Sequence, residues 1–194
     1  GAGISIQIPH EFFHSLGVEQ NIDVGTEGSY GVGMIFLSQD EKIASRGLEI
    51  LQETANEVGS QWLGIRDVPT CDDCLGEIAL RGLPKIVQVF IKHDDLRAEA
   101  LERKLYLIRK MAEARIRKEG YNHEDVYIPS FSCKTIVYKG LFTAHQIKEF
   151  YPDLGDTRIK SAIALVHQRY STNTFPTWSL AHPFRYLAHN GEIN

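Results

Sequence analysis

The chain has 194 residues, of which 43% are hydrophobic, 10% aromatic and 24% charged, with 16 Gly and 7 Pro. That is the composition of a globular chain with a real core, not of a disordered or collagenous one, and the length suits one domain over residues 1–194. A net charge of −4 argues against a binder of phosphate backbones, and no run approaches the roughly 18 apolar residues of a membrane helix. Neither nucleic acid nor membrane is therefore an expected partner. The opening residues, GAGISIQIPH, lack the pattern of a signal peptide. Three cysteines, Cys71, Cys74 and Cys133, do not make a disulfide framework, so a reducing compartment such as the cytoplasm is expected.

Apolar periodicity alternates between strand and helix spacing along the chain. Ile4, Ile6 and Ile8 alternate with polar residues until Pro9, and residues 11–16 have room for a short helix. YGVGMIFL at 30–37 and KIVQVFI at 85–91 read as strands bounded by Gly or Pro. Between them, Leu48, Leu51, Ala55 and Val58 predict a helix over 45–58 with Ser45 near its start. A long helix is predicted over 94–118, with Leu101, Leu105, Ile108 and Ala112 on one face, Asp94 or Asp95 as cap, and Gly120 at the end. Its many basic residues read as a solvated face, with Glu99 and Glu113 placed four residues before Arg103 and Arg117 for ion pairing. Strands follow at 126–131 and 135–138, a short helix at 144–150, and a strand at 162–166. Strands and helices without regular βαβ spacing predict an α+β or layered sandwich.

Four constellations are candidates for chemistry. Cys71-Asp-Asp-Cys74 has CxxC spacing but no second pair to complete a metal site, leaving chance, redox and metal readings with chance foremost. Gly31 and Gly33 lie inside a strand and lack the third glycine of a dinucleotide fingerprint, so they read as close packing. His167, His182 and His189 have spacings that match no zinc motif, and no metal is expected. The fourth is the last thirty residues. There a strand delivers Arg169, whose fork can hold a carboxylate. Residues 170–180 form a polar stretch in which Phe175 and Trp178 can close over a ligand, and a second short strand over 184–188 precedes Asn190-Gly191. An Asn amide beside an accessible glycine N–H can serve as an oxyanion hole, although Asn-Gly is also a common hairpin turn.

The stretch VHQRYSTNTFPTWSLAHPFRYLAHNGEIN resembles the class II (N-terminal nucleophile, Ntn) glutamine amidotransferase domain of glutamate synthases. GAGISIQIPHEFF, YGVGMIFLSQD, LGIRDVP, IVQVFIK, LYLIRK and SFSCKTIVYKGL resemble that family in the same order. The resemblance implies a four-layer αββα sandwich, here incomplete, and hydrolysis of glutamine to glutamate and ammonia. In the complete enzyme the ammonia reaches a synthase part that carries FMN and an iron–sulfur cluster and reacts with 2-oxoglutarate. This chain itself is expected to hold no cofactor. Carried over by motif, Arg169 holds the substrate carboxylate, residues 170–177 close over glutamine, Thr172 and Asn173 line the pocket, and Asn190 and Gly191 form the oxyanion hole.

The family's nucleophile is a cysteine at the mature N-terminus, and no residue here matches it. On that resemblance the chain is expected to be a fragment cut at both ends and inactive alone. The expected partners are glutamine, the remaining domains of a glutamate synthase and a further copy of the chain. The expected compartment is the cytoplasm, or the plastid for a plant-type source. A non-catalytic glutamine or glutamate binder and a scaffold protein stand as alternatives.

Overall fold

The computed structural model describes residues 1–168, 175–184 and 187. β1 (Ala2–Gln7) opens the chain and is followed by α1 (His10–Gln20), β2 (Tyr30–Leu37), α2 (Glu41–Glu57), β3 (Gln61–Asp67) and α3 (Glu77–Arg81). β4 (Lys85–Lys92), α4 (Ala98–Lys118), β5 (Val126–Ser132), β6 (Thr135–Gly140), α5 (Ile147–Phe150) and β7 (Ala164–His167) complete it. The strands form two antiparallel sheets, ordered β6-β1-β7 and β3-β4-β2-β5.

Strand β2 shows why these layers form. All eight of its residues are buried, and alternation sends them to two cores. Tyr30, Val32, Met34 and Phe36 face the core between the sheets, where they meet Ile6, Phe12, Phe13, Ile136 and Tyr138. Ile35 and Leu37 face the opposite way and pack with Leu51 and Ala55 of α2 and Leu101, Leu105 and Ile108 of α4. Gly31 points the same way and lies so close to α4 that a methyl in its place would meet the Leu105 side chain at 2.3 Å. The described residues thus form a helix pair, a four-stranded sheet and a three-stranded sheet, packed in that order. The sandwich expectation holds in this mixed form. No helix among the described residues is long and apolar enough to cross a membrane.

Several predicted boundaries shift for local reasons. α2 begins before Ser45, because the Asp40 carboxylate accepts from the N–H groups of Lys42 (2.8 Å) and Ile43 (3.3 Å) and caps the helix there. α4 begins later than predicted. Asp94 is no cap, since its carboxylate accepts from Gln61 Nε2 at 2.6 Å, and the position before the helix is Arg97. Gly120 does follow the helix end, at φ 93°. Glu99 and Glu113 on α4 form their ion pairs with cations other than the expected Arg103 and Arg117. Glu99 binds Lys134, and Glu113 binds Arg109 (2.7 Å) and Lys110 (2.8 Å), because the nearest cations come from the adjoining hairpin and from the preceding turn. α1 runs past Leu16 to Gln20 and stops where Asn21 turns left-handed. β3 and α3 were not anticipated from periodicity. β3 is an edge strand, mostly half-exposed, with a register shift between Trp62 and Gly64 that disrupts its alternation, and α3 has only five residues.

A buried polar network joins the sheets. Arg66 of β3 grips Asp153 through two bonds of 2.7 Å and also donates to Gln88 of β4 at 2.8 Å. Gln88 donates in turn to the Tyr138 hydroxyl of β6 at 3.0 Å. A bidentate pair with its neighbours satisfied is the arrangement in which a buried ion pair is tolerated.

Candidate functional site

Among the described residues β7 is paired along β1 alone, with Gly3 opposite His167 and Ile6 opposite Ala164. It ends two residues before Arg169. Arg169, Thr172, Asn173, Asn190 and Gly191 themselves lie outside the described residues. What the structure places is the framework on both sides of them: the end of β7, and the segment 175–184 that separates the two stretches.

That segment is anchored by Trp178, and the anchor differs from expectation. Trp178 is only 5% exposed. Its indole N–H donates to the Ala79 carbonyl at 3.0 Å, and its ring packs with Phe36, Phe142 and Phe150 in the core between the sheets. A large aromatic whose one polar atom finds a buried acceptor gains most by joining a core, so Trp178 is held in place there and shows only part of its ring to the neighbouring cleft. Phe175, in contrast, is 76% exposed. With Pro176, Thr177 and Ser179 it borders a cleft of about 490 Å³ whose other walls include Leu37, Ile78, Arg81, Leu83, His123, Glu124 and Leu141. Thr177 shapes the turn, its hydroxyl lying 3.1 Å from Ser179 Oγ and accepting from Leu180 N–H at 3.3 Å.

Of the short strand predicted over 184–188, the described residues Phe184 and Leu187 face each other in an isolated antiparallel bridge, with the Leu187 N–H donating to the Phe184 carbonyl at 2.7 Å. A cis peptide precedes Pro183. The rings of His167 and His182 lie 4.7 Å apart with a tilt of 32°, and those of His182 and Phe184 4.3 Å apart with a tilt of 59°. The sequence grouped these two histidines with His189 only as a metal candidate, and their spacing of 15 residues gave no sign of a ring contact. His189 lies outside the described residues, and among the described residues no group of three His, Cys, Asp or Glu side chains could hold a metal ion.

Sequence reasoning also missed Lys139, which sits in the apolar-looking run TIVYKG. It is fully buried, and no carboxylate among the described residues pairs with it. Its Nζ donates to the Ser179 carbonyl at 2.9 Å and to the Tyr127 hydroxyl at 3.1 Å. It also lies over the rings of Tyr127 (4.6 Å) and Phe184 (4.5 Å). Burial, with the Arg109 charge nearby, holds its pKa well below the ordinary lysine value.

Neither Cys133 nor Cys74 has the character of a nucleophile prepared for attack. Cys133 lies between β5 and β6, 8% exposed, with its backbone N–H (2.9 Å) and its Sγ (3.4 Å) directed at the Glu102 carboxylate. Burial and Glu102 push its pKa up to about 12, which suppresses the reactive thiolate. Cys74 is also pushed up, by burial and then by Glu149, and its Sγ donates to the Cys71 carbonyl at 3.2 Å. Cys71 and Cys74 are free thiols in the structure.

A family model described as "Glutamine amidotransferases class-II" matches residues 1–194. The chain is 46% identical over 196 residues to the "Glutamate synthase [NADPH] large chain" of Bacillus subtilis (strain 168), covering 100% of this chain and 13% of that protein. It is 40% identical over 205 residues to the "Glutamate synthase [NADH]" of Saccharomyces cerevisiae, 100% of this chain and 9% of that one. Against "Ferredoxin-dependent glutamate synthase 1, chloroplastic/mitochondrial" of Arabidopsis thaliana the identity is 39% over 195 residues, 100% and 12% respectively. The chain therefore spans only about a tenth of the length of these curated relatives.

Proposed function

We propose a function for a chain that belongs to the class II glutamine amidotransferase family: it is the glutaminase unit of a glutamate synthase, releasing ammonia from glutamine and leaving glutamate. The observation that carries this reading is the family match over residues 1–194, with 38–46% identity to glutamate synthases across 100% of the chain. In the longer enzyme the ammonia is used on 2-oxoglutarate by a part that carries FMN and an iron–sulfur cluster. The other domains of that enzyme are the partners of this one. A second helical layer, on the far side of the three-stranded sheet, completes a four-layer αββα Ntn-type sandwich.

Each proposed role follows from the chemistry of its side chain. The Arg169 guanidinium takes the glutamine α-carboxylate through two parallel bonds, which fixes position and orientation together. Thr172 and Asn173 line the pocket, and residues 170–177 close over it. The Asn190 amide and the Gly191 N–H direct donors at the carbonyl oxygen, where negative charge develops when the side-chain amide is attacked. Cys133 and Cys74, with raised pKa values, are poor candidates for the attack, so these 194 residues alone are proposed to bind glutamine without turning it over.

The test is direct. Calorimetric titration of the chain with L-glutamine is expected to give binding at millimolar ligand that Arg169→Ala removes, with no steady release of ammonia. Absence of heat counts against the binding site, and sustained ammonia release lost on Arg169→Ala overturns the claim of inactivity. The character of the thiols also favours a second reading, a non-catalytic glutamine or glutamate binder. Ammonia release from glutamine by the intact gene product separates the two.

A further inference from the structure

The CxxC pair stands on a turn that brings its two cysteines close. Asp72–Cys74 form a single 3₁₀ turn between β3 and α3, closed by the Leu75 N–H on the Asp72 carbonyl at 3.0 Å. Such a turn rises about 2 Å per residue and sets residues three apart about 6 Å from each other at Cα, inside the span that a disulfide bridges. Both thiols are free and half-buried. The Cys74 thiol turns back along the turn and donates to the Cys71 carbonyl at 3.2 Å, and Cys71 follows burial and Glu149 among the causes that raise its pKa. The backbone is held by groups that take no part in sulfur chemistry. Cys71 N–H donates to the Phe150 carbonyl at 3.0 Å, and the Gln146 amide donates to the Cys74 carbonyl. A bond between the sulfurs can therefore form or break without either contact being given up. Asp72 and Asp73, between the cysteines, are exposed, and the Thr70 hydroxyl donates to Asp72 Oδ1 at 3.0 Å.

We propose that Cys71 and Cys74 are a dithiol site, oxidised reversibly to a disulfide by small disulfides whose arms carry cationic groups. The site does not depend on the glutaminase reading. An entering disulfide, R–S–S–R, meets Cys71 first, because Cys74 packs against the core between the sheets and its hydrogen is engaged on a carbonyl. The Cys71 thiolate attacks one sulfur of R–S–S–R, which forms a mixed disulfide on Cys71 and expels RS⁻. Cys74 then gives up its proton, and its thiolate attacks the Cys71 sulfur and expels the second RS⁻. The two cysteines are oxidised by two electrons, R–S–S–R is reduced to two RSH, and the protons released by the thiols end on the two RS⁻. Excess RSH reverses both steps. The carboxylates of Asp72, Asp73 and Glu149 select among disulfides, attracting arms that carry ammonium groups and repelling arms of net negative charge. Cys133 takes no part, since it is buried against Glu102.

The experiment treats the reduced chain with cystamine, whose arms carry ammonium groups, or with oxidised glutathione, whose arms are net negative, and follows the products by mass spectrometry with peptide mapping. We expect the wild type to lose two hydrogens, with the bond mapped between Cys71 and Cys74, and to regain them in excess dithiothreitol. Cys74→Ser should stop at the mixed disulfide with one cysteamine on Cys71, and Cys71→Ser should take up the reagent about tenfold more slowly. Cystamine should react about tenfold faster than oxidised glutathione, and this ratio should fall at least about threefold in the double variant Asp72→Asn, Asp73→Asn and in high salt. Cys133 should stay unmodified in the folded chain. If the wild type gains stable adducts on both cysteines, or its bond maps elsewhere, there is no dithiol site. If Cys71→Ser reacts as fast as Cys74→Ser, the assigned order of attack is wrong. If the ratio is unchanged in the aspartate variant, the selection of cationic disulfides is overturned. Should a serine variant not fold, the mapped bond in the wild type and the aspartate variant decide.

Discussion

Tyr138 and Lys139 are neighbours on β6 whose side chains leave on opposite faces, and both end fully buried. Tyr138 turns into the core between the sheets, where its hydroxyl joins Gln88 and, at 3.4 Å, the Asp153 carboxylate that holds Arg66. There every charge faces an opposite charge at hydrogen-bond distance. Lys139 turns the other way, to two ring faces, a hydroxyl and a backbone carbonyl, with no carboxylate among the described residues. The difference teaches what each side is for. The paired network joins β3, β4, β6 and the chain at Asp153 into one unit, whereas the lysine joins β6 to Tyr127 of β5 and to the backbone at Ser179.

The largest expected effect tests the paired side. Asp153→Ala leaves the Arg66 guanidinium buried without its partner and should cost about 3–5 kcal/mol in urea unfolding, with much of that recovered in the double variant Arg66→Met, Asp153→Leu. A loss below about 1 kcal/mol would mean that Arg66 reaches water and that the two sides are alike. An intermediate effect is expected at Trp178, which anchors the segment 175–184. Trp178→Phe keeps most of the packing but strands the Ala79 carbonyl, so about 1–2 kcal/mol should be lost while glutamine affinity is retained. A stability loss below about 0.5 kcal/mol would mean that water reaches the Ala79 carbonyl and that this bond contributes little.

The smallest effect distinguishes the two sides by pH. Since the folded state holds Lys139 below its ordinary value, the unfolded chain binds more protons between the folded pKa and about 10.5, and stability from this group rises with pH over that window. The groups facing it are Tyr127 from β5, itself pushed up to about 12 by burial, and Arg109 from α4. The stability of the wild type minus that of Lys139→Met should therefore increase from pH 7 to pH 9.5, as measured by denaturant titration at each pH. A flat difference would indicate an ordinary, hydrated lysine.

Much of the layering was legible in the sequence because local pattern and tertiary role coincide there. In YGVGMIFL both faces are apolar, and both faces are in fact covered. The helix stripe Leu101, Leu105, Ile108, Ala112 is the stripe that packs. β3 was not legible because half-exposed edge residues and a bulge blur its alternation. Ser45 was credited with a helix start that belongs to Asp40, since a run of apolar spacing marks where a helix packs rather than where its first N–H groups are satisfied. Of the candidate site, Arg169, Thr172, Asn173, Asn190 and Gly191 were found by residue type and resemblance. Lys139 and the contact between the His167 and His182 rings went unseen, because nothing in TIVYKG or in a spacing of 15 residues announces a buried lysine or a ring contact.

What the sequence by itself determined is therefore the set of periodic elements and the family to which the ordered motifs belong, because both are written in residues close together along the chain. The tertiary structure alone decided which polar groups are buried and what they meet. Arg66 finds Asp153 87 residues away and Trp178 finds Ala79 99 residues away, and Lys139 is buried only because a segment 40 residues on closes over it. Burial is a property of the packed whole, and with it come the desolvation that shifts a pKa and the requirement that each buried donor find an acceptor.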